Sequence, residues 1–482
     1  MGNSIFKNLS YNVLLQVVLM ILPLVSIPFV SRILGPEGIG AYSYTLSLTQ
    51  YFIIIGSLGL ALYGNRQIAY TRDHPETMAK TFWSILGLRI LTTTIALIAY
   101  YLIFWNTQDL YALRMVQSIH IVASMFDITW LFVGLEDFKR IVTRNLFIKL
   151  IGLALIFMLI HTQEDVLLYT LINLGMSVSS SLIMWLYVPK LVKKVKVQWS
   201  DVQEHVKPAL HLFIPQIASQ VYVLLDKTMI GLLSSIEQVG FYTQAERIVK
   251  AVLELITALG TVMLPRMSNI FAKGDHDQMK AYLNTSLKAV TYVSLPMFIG
   301  IVGVAPEFVP WFFGPGYDQV VLIMQMLASI LLFVSLSSVL GVQFLIPSNR
   351  VNEFTFSIVL GAIVNIMLNS LLIPRFGAVG AVIGTFSAEA SVMFSQFVIL
   401  RSTIDFKSYF LSLSRYGISV LLMFFSVRGI ALFGQATAQT TIFQALSGAL
   451  VYLISLSILK EEMNLKALGI VRNLLNRIVS HH

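Results

Sequence analysis

Apolar runs separated by short polar ones succeed each other along the entire chain. A helix crossing a bilayer needs about 20 mostly apolar residues in sequence. Fourteen stretches fit: 11–33, 42–63, 82–104, 115–133, 146–160, 166–188, 209–233, 248–264, 289–313, 320–346, 354–373, 378–400, 416–433 and 441–459. The fifth and eighth are the shortest. Pro23 and Pro28 lie in the first, and no small-residue cleavage site follows it, which predicts a retained, bent helix rather than a signal peptide. Beyond the last stretch Leu465, Leu468, Val471, Leu475 and Ile478 recur at helical spacing with Lys466, Arg472 and Arg477 between them, the pattern of an interfacial amphipathic helix that anchors the tail.

The cations give the stretches a direction. Arg32, Arg114 and Arg375 fall in connections on one side, Arg89, Lys227, Arg247, Lys250 and Arg428 lie within stretches, and the remaining Lys and Arg sit on the other side. Translocated loops shed cations, so both termini are expected in the cytoplasm. The opposite connections, 35–41, 106–114, 161–165 and 374–377, are too brief to form a domain. Composition supports a polytopic membrane protein: 12% of residues are charged and the mean hydropathy is +0.78, against roughly 25% charged in soluble chains. With no Cys, disulfides, thiolate metal sites and thiol catalysis are excluded together. The net charge of +9 resides in short cytoplasmic loops, where topology and anionic lipids account for it, so no nucleic-acid partner is expected. No P-loop, metal-ligand spacing of His or Ser/His/Asp arrangement stands out, and no enzyme is expected.

A shift of 200 residues lays Lys7 on Lys207, Gln16 on Gln216, Glu37 on Glu237, Gly40 on Gly240, Tyr42 on Tyr242, Arg66 on Arg266 and Lys80 on Lys280. The matches occupy equivalent turns and helix ends, which predicts an internal duplication. Six spans per repeat is an even number, so the halves are parallel, and transporters built this way bind substrate between halves and rock. The expected architecture is all-α: 14 transmembrane helices, two six-helix lobes (1–200 and 201–402) around a central cavity, two appended helices (403–460) and a cytoplasmic tail (461–482).

Charges inside lipid are costly and face cavities or partners. Besides the five cations above, Asp127, Asp226, Glu246, Glu254 and Glu389 fall in or near the stretches, five against five. Glu246, Lys250, Glu254, Thr257 and Thr261 form one polar stripe on the eighth helix. It either lines water or begins with an ordinary helical ion pair. Gln216, Ser219, Gln220, Asp226 and Lys227 on the seventh helix and Asn12, Gln16 and Arg32 on the first predict a hydrophilic chamber. On the fourth, Gln117, His120, Ser124 and Asp127 form a further stripe, in which Asp127 either carries a proton or cation or, more simply, pairs with Arg89. Glu389 shares its helix with Gly380, Gly384 and Ala388 at close-packing spacing, Asn365 and Asn369 read as helix glue, and Arg428 is expected to snorkel to the outer interface.

Five segments carry a family resemblance: Asn8-Leu-Ser-Tyr-Asn12; Ser31-Arg-Ile-Leu-Gly-Pro-Glu-Gly-Ile-Gly40 with Tyr42; Tyr63-Gly-Asn-Arg66; Asp127-Ile-Thr-Trp130 with Gly134-Leu-Glu-Asp-Phe-Lys139; and Asn369-Ser-Leu-Leu-Ile-Pro374 with Gly377-Ala-Val-Gly-Ala381. In this order the chain resembles the polysaccharide-exporting flippases of the multidrug, oligosaccharidyl-lipid and polysaccharide exporter superfamily. The resemblance implies a bacterial cytoplasmic membrane protein that flips undecaprenyl-diphosphate-linked oligosaccharide repeat units to the outer leaflet by alternating access. An H+ or Na+ gradient would drive it without a cofactor, with membrane lipids and a polysaccharide polymerase or chain-length machinery as partners. Arg grips diphosphate bidentately, so Arg32, Arg66, Arg89 and Arg266, with Lys227, Arg247 and Lys250, are the expected anion contacts, joined by Gln16 and Gln216. Asp127, Asp226, Glu254 and Glu389 are the expected coupling carboxylates. Two rivals remain. A drug or organic-cation antiporter of the same fold needs acidic groups facing its cavity, whereas helix one has no carboxylate and ends in Arg32. A membrane polysaccharide polymerase or ligase needs a sizeable outer loop, which is missing.

Overall fold

The computed structural model describes residues 2–261, 267, 269–271 and 275–469, with side chains excepted at 2–21, 23–24, 214–223, 258–261 and 276. All regular structure among the described residues is helical. Eleven segments are long and apolar enough to cross a membrane. The chain is a multi-span membrane protein.

One of the eleven, Val25–Thr71, takes in two expected stretches. The reason is local. Helix α1 (Gly2–Ser57) leaves helical geometry only at Gly35, whose φ of 66° and ψ of 177° turn the chain in a single residue. Glycine adopts that conformation without a Cβ clash, and Pro36 then restarts the helix at a position that needs no amide proton. The expected outer connection 35–41 is therefore a bend, not a loop.

The chain forms two compact units, 1–240 and 241–482. The first contains α1, α2 (Leu60–Thr71), α3 (Pro75–Phe104), α4 (Tyr111–Met125), α5 (Thr129–Gly134), α6 (Phe138–Leu159), α7 (Val166–Ile183), the short α8 (Val188–Leu191) and α9 (Trp199–Gln203), and α10 (Val206–Leu233). The sequence places a boundary after residue 200, whereas α10 groups with the helices before it. Gly231 lets the Tyr44 ring lie so close that a Cβ there would come within 2.2 Å of it, and Ser47 bonds Thr228 hydroxyl to hydroxyl at 3.1 Å. The fifth stretch is longer than expected, since α6 runs for 22 residues. Leu60, Ile68, Phe82, Ile85, Trp130 and Phe132 lead the core at one end of this unit, where Gly64 admits the Trp130 indole and Gly134 admits Ile68. Trp130 is thus a core residue.

α11 (Ile236–Thr261) runs into the second unit, which continues with α12 (His276–Phe313), α13 (Asp318–Leu327), α14 (Ile330–Ser337), a π-helical segment Ser338–Leu345, α15 (Val351–Phe376), α16 (Ala378–Ile399), α17 (Phe406–Ala431) and α18 (Ala438–Ile458). The last two, expected as an appendage, share a core with α12. Tyr416, Val420, Met423, Val427, Tyr452 and Leu456 pack on Tyr292, Leu295 and Ile299.

α12 carries three internal prolines, Pro296, Pro306 and Pro310. Each removes an amide donor and frees the carbonyl four residues earlier, a serious deficit in lipid unless a neighbour supplies a donor. Neighbours do. The Tyr452 hydroxyl donates to Tyr292 O at 2.8 Å, and Gln325 Nε2 donates to Val302 O at 2.8 Å. Those are the carbonyls that Pro296 and Pro306 leave open, so polar side chains on α18 and α13 are explained by prolines on α12. After α18 the chain is helical again over 462–469, and Val471, Arg472, Leu475, Arg477 and Ile478 of the expected amphipathic tail lie outside the described residues.

Candidate functional site

In the first unit the chemistry concentrates where the fourth stretch breaks. α4 ends at Met125, α5 starts at Thr129, and Asp127 sits in the gap. A break inside an apolar span exposes carbonyls and amides that must be satisfied internally. Arg89 Nε, from α3, donates to Ser124 O at 2.7 Å, and Trp185 Nε1 donates to Phe126 O at 2.8 Å. On the other flank Asp127 Oδ1 accepts from the Thr129 amide at 3.0 Å and from its hydroxyl. Arg89 is only 3% exposed and lies 3.7 Å from Asp127 Oδ2. This is the pairing that was the simpler expectation for the two residues. It is a long contact, and Arg89 Nη1 has no hydrogen-bond partner among the described residues.

A second guanidinium approaches the same break. Arg144, expected among cytoplasmic loop cations, is buried on α6, where Nη1 donates to Ser180 O at 3.0 Å and reaches Thr129 Oγ1 at 3.4 Å. Further along α4, Gln117 is fully buried and donates to Tyr42 O at 3.0 Å, so this part of the stripe joins α4 to α1.

In the second unit the α11 stripe opens with an ion pair. Lys250 Nζ is 2.6 Å from the buried Glu246 Oε1, the helical pairing that was one of the two expectations, while Glu254 is exposed. Arg247 is half-buried and donates to Gln244 Oε1 at 3.3 Å.

Arg428 does not simply snorkel outward. Its Nη1 donates to both oxygens of Glu307, at 3.0 and 2.8 Å, and to Gly303 O at 3.0 Å; Gln444 Nε2 donates to Glu307 Oε2 at 3.0 Å. Glu307, 9% exposed, was overlooked in the sequence although it lies inside the ninth stretch. Scanning that stretch for carboxylates would have found it.

Beside this cluster opens a cavity of about 530 Å³ between α11, α12, α13, α17 and α18. Val252, Val293, Gly300, Phe308, Ala449 and Leu453 typify its lining, and Tyr292, Gln444 and Tyr452 supply its few polar groups.

The other expected contacts are scattered. Arg32 and Arg66 are exposed, with Arg66 over the Tyr70 ring at 5.9 Å. Asp226 is buried and its neighbour Lys227 half-buried on α10, where adjacent positions point apart. Glu389 is half-buried on α16. Arg266 lies outside the described residues, as do Gln16, Gln216, Ser219, Gln220 and Thr261 at the side-chain level.

Many apolar helices with ion pairs and a helix break inside them make an architecture of transporter type. Two family models match, one for a polysaccharide biosynthesis protein over residues 5–271 and one for the lipid II flippase MurJ over residues 146–449. The chain belongs to the polysaccharide biosynthesis protein family, among the flippases of the multidrug, oligosaccharidyl-lipid and polysaccharide exporter superfamily. It is 22% identical over 408 residues to the "Putative O-antigen transporter" of Escherichia coli (strain K12), covering 83% of this chain and 97% of the relative. Its fold resembles that of lipid II flippase MurJ in an inward closed conformation, with a TM-score of 0.74 at 18% identity over 93% of this chain and 98% of the other. An inward-facing multidrug resistance transporter of the same superfamily aligns with a TM-score of 0.62 at 14% identity, over 80% of this chain and 95% of the other.

Proposed function

We propose that the protein flips undecaprenyl-diphosphate-linked oligosaccharide repeat units from the cytoplasmic to the outer leaflet of a bacterial cytoplasmic membrane, with both termini cytoplasmic. The observation that carries this reading is the cavity of about 530 Å³ in the second unit. Its walls are almost wholly aliphatic and aromatic, which suits an isoprenoid chain, while α11 bears the Glu246–Lys250 pair and exposed Glu254 for a hydrated headgroup. A carrier for an amphiphile needs both surfaces, because the sugars require water and the tail does not. The matching transporter and flippase relatives support the same class of cargo.

The full reading has fourteen spans in two six-helix lobes and two further helices, working by alternating access on an H+ or Na+ gradient. Asp127, Asp226, Glu254 and Glu389 are the coupling residues to test. Arg32, Arg66, Arg266, Lys227, Arg247 and Lys250 are the anion contacts to test; Arg89 is better assigned to bracing the helix break, since Ser124 O and Asp127 already occupy it.

Depletion in the native host followed by lipid analysis tests the proposal. A complete lipid-linked repeat unit should accumulate in the cytoplasmic leaflet. Accumulation in the outer leaflet would indicate a polymerase or ligase instead, and unaltered export without accumulation would remove the flippase assignment.

A further inference from the structure

We propose that the second unit holds a subsite for one neutral sugar ring, in a hydroxyl-lined pocket formed by α11, α12, α14 and the π-helical segment. The inference rests on the reading of the protein as a carrier of lipid-linked oligosaccharide and names the part of the cargo that this pocket receives.

The pocket has a volume of about 190 Å³ and is lined by Thr257, Thr285, Ser286, Ser335, Ser338 and Gln343, with aliphatic side chains between them. Among the described residues neither a carboxylate nor a cation lines it. Its volume is that of about six waters at roughly 30 Å³ each, the scale of a single pyranose. Thr285 and Ala289 are exposed on α12 and mark the mouth.

Two independent features point to a ligand. Ser335 is 1% exposed, and its Oγ has no hydrogen-bond partner among the described residues. A buried hydroxyl left unpaired is destabilising, and a ligand hydroxyl entering the pocket would relieve it. The second feature is backbone geometry. α14 passes at Ser338 into π-helix, a form frequent at functional sites, and its five-residue repeat is visible in Ile346 N bonding Gly341 O at 3.0 Å. In an α-helix Gln343 would turn away from Ser338. With a five-residue turn it returns to the face that carries Ser338, and both line the pocket.

The donor set selects the ligand. Hydroxyl and amide groups pair with sugar hydroxyls in either direction, while Ile256, Val290 and Val293 offer an apolar wall to the C–H face of a ring. A diphosphate would find no cation here, and a prenyl chain is better served by the larger cavity. Thr257 belongs to the polar stripe of α11, so the stripe leads from its ion pair toward this pocket.

The test uses the full-length protein in lipid nanodiscs with methyl glycosides of glucose, galactose and N-acetylglucosamine as probes, read by hydrogen–deuterium exchange. Protection is expected over 253–257, 285–293 and 335–345 with at least one glycoside. Ser335→Ala should weaken binding about threefold to tenfold, and Ser335→Leu, which fills the pocket, should abolish it. Gln343→Leu provides a second variant should Ser335→Leu fail to fold, as judged by gel filtration. The proposal is overturned if no glycoside protects these segments, if Ser335→Leu protects as well as the parent, or if Na+ alone gives the protection and glycosides add none. Glycoside protection here together with no accumulation of lipid-linked repeat units on depletion would sink the flippase reading and spare the pocket; accumulation without protection would do the reverse.

Discussion

Gly40 and Gly240 meet backbone to backbone, each against the turn that precedes the other. A Cβ on Gly40 would stand 1.8 Å from Ile236 O, and a Cβ on Gly240 would stand 2.0 Å from Pro36 O. Pro36 and Ile236 are themselves 200 residues apart, as are the glycines, so the contact is reciprocal under a shift of 200 residues. No side chain can yield at either position, because the obstacle is main chain. Gly40→Ala and Gly240→Ala should each destabilise the protein by about 1–3 kcal/mol through overpacking, measured as a lowered midpoint of unfolding in detergent. Once one substitution has parted the turns the other has less to disturb, so the double variant should lose less than the sum. Full additivity would mean that the contact is not shared.

Asp127 serves Thr129 as a cap and Arg89 as a counter-charge, and substitutions separate the roles. Asp127→Asn keeps a capping oxygen and should cost less than Asp127→Ala, which leaves the buried Arg89 guanidinium without a carboxylate. Asp127 is 38% exposed at the side chain and the pair is 3.7 Å long, so the loss for Asp127→Ala is put at about 1–3 kcal/mol, below that of a fully buried pair. In an Arg89→Met background the alanine substitution should cost markedly less. Denaturant unfolding of the four proteins tests this, and equal losses for Asn and Ala would assign the effect to charge alone.

Glu307 is buried while the Arg428 side chain is 36% exposed, so the pair should show the asymmetry of a buried one in reduced measure. Glu307→Leu leaves Arg428 without its carboxylate and takes one of two acceptors from Gln444 Nε2, with an expected loss of about 1–3 kcal/mol. Glu307→Leu combined with Arg428→Leu should recover part of that loss, since no charge is left unmatched. Thermal unfolding of both variants decides it. A double variant less stable than the single would show that the pair contributes more than it costs to desolvate.

The Tyr63 hydroxyl and His205 Nδ1 are 2.8 Å apart, joining α2 to the start of α10. Burial pushes the His205 pKa below its ordinary value, opposed in part by Glu204 and Asp201. The folded protein therefore favours neutral His205. Its contribution to stability is fully present above the unfolded value of about 6.5 and is lost as pH falls below that value toward the depressed folded one. The unfolding temperature should drop between about pH 7.5 and about pH 5, and His205→Gln should flatten that part of the profile. An unchanged slope in the variant would place the pH dependence elsewhere.

Much of this molecule was legible in one dimension. Apolar runs of span length and a scarcity of charged residues sufficed to separate a polytopic membrane protein from soluble classes, and the five motif segments pointed to the exporter family. The Arg89–Asp127 and Glu246–Lys250 pairs could be nominated because in-span charges seek partners, and the second follows from helical spacing alone. The Glu307–Arg428 pair could not be assigned by spacing, because 121 residues separate its members. Arg144 was misplaced for a related reason: a cation at the edge of an apolar stretch reads as a loop residue until α6 is seen to begin at Phe138.

Length, hydropathy and periodicity determine how many helices a chain can lay in lipid, since the bilayer imposes the same requirement at every position along it. Which groups those helices bring together is decided by packing. Tyr452 satisfies the carbonyl that Pro296 frees, and Ser338 and Gln343 acquire a common face only because the helix widens at Ser338. Such relationships depend on side-chain fit and backbone register between distant segments, quantities that no local pattern of apolar and polar residues carries.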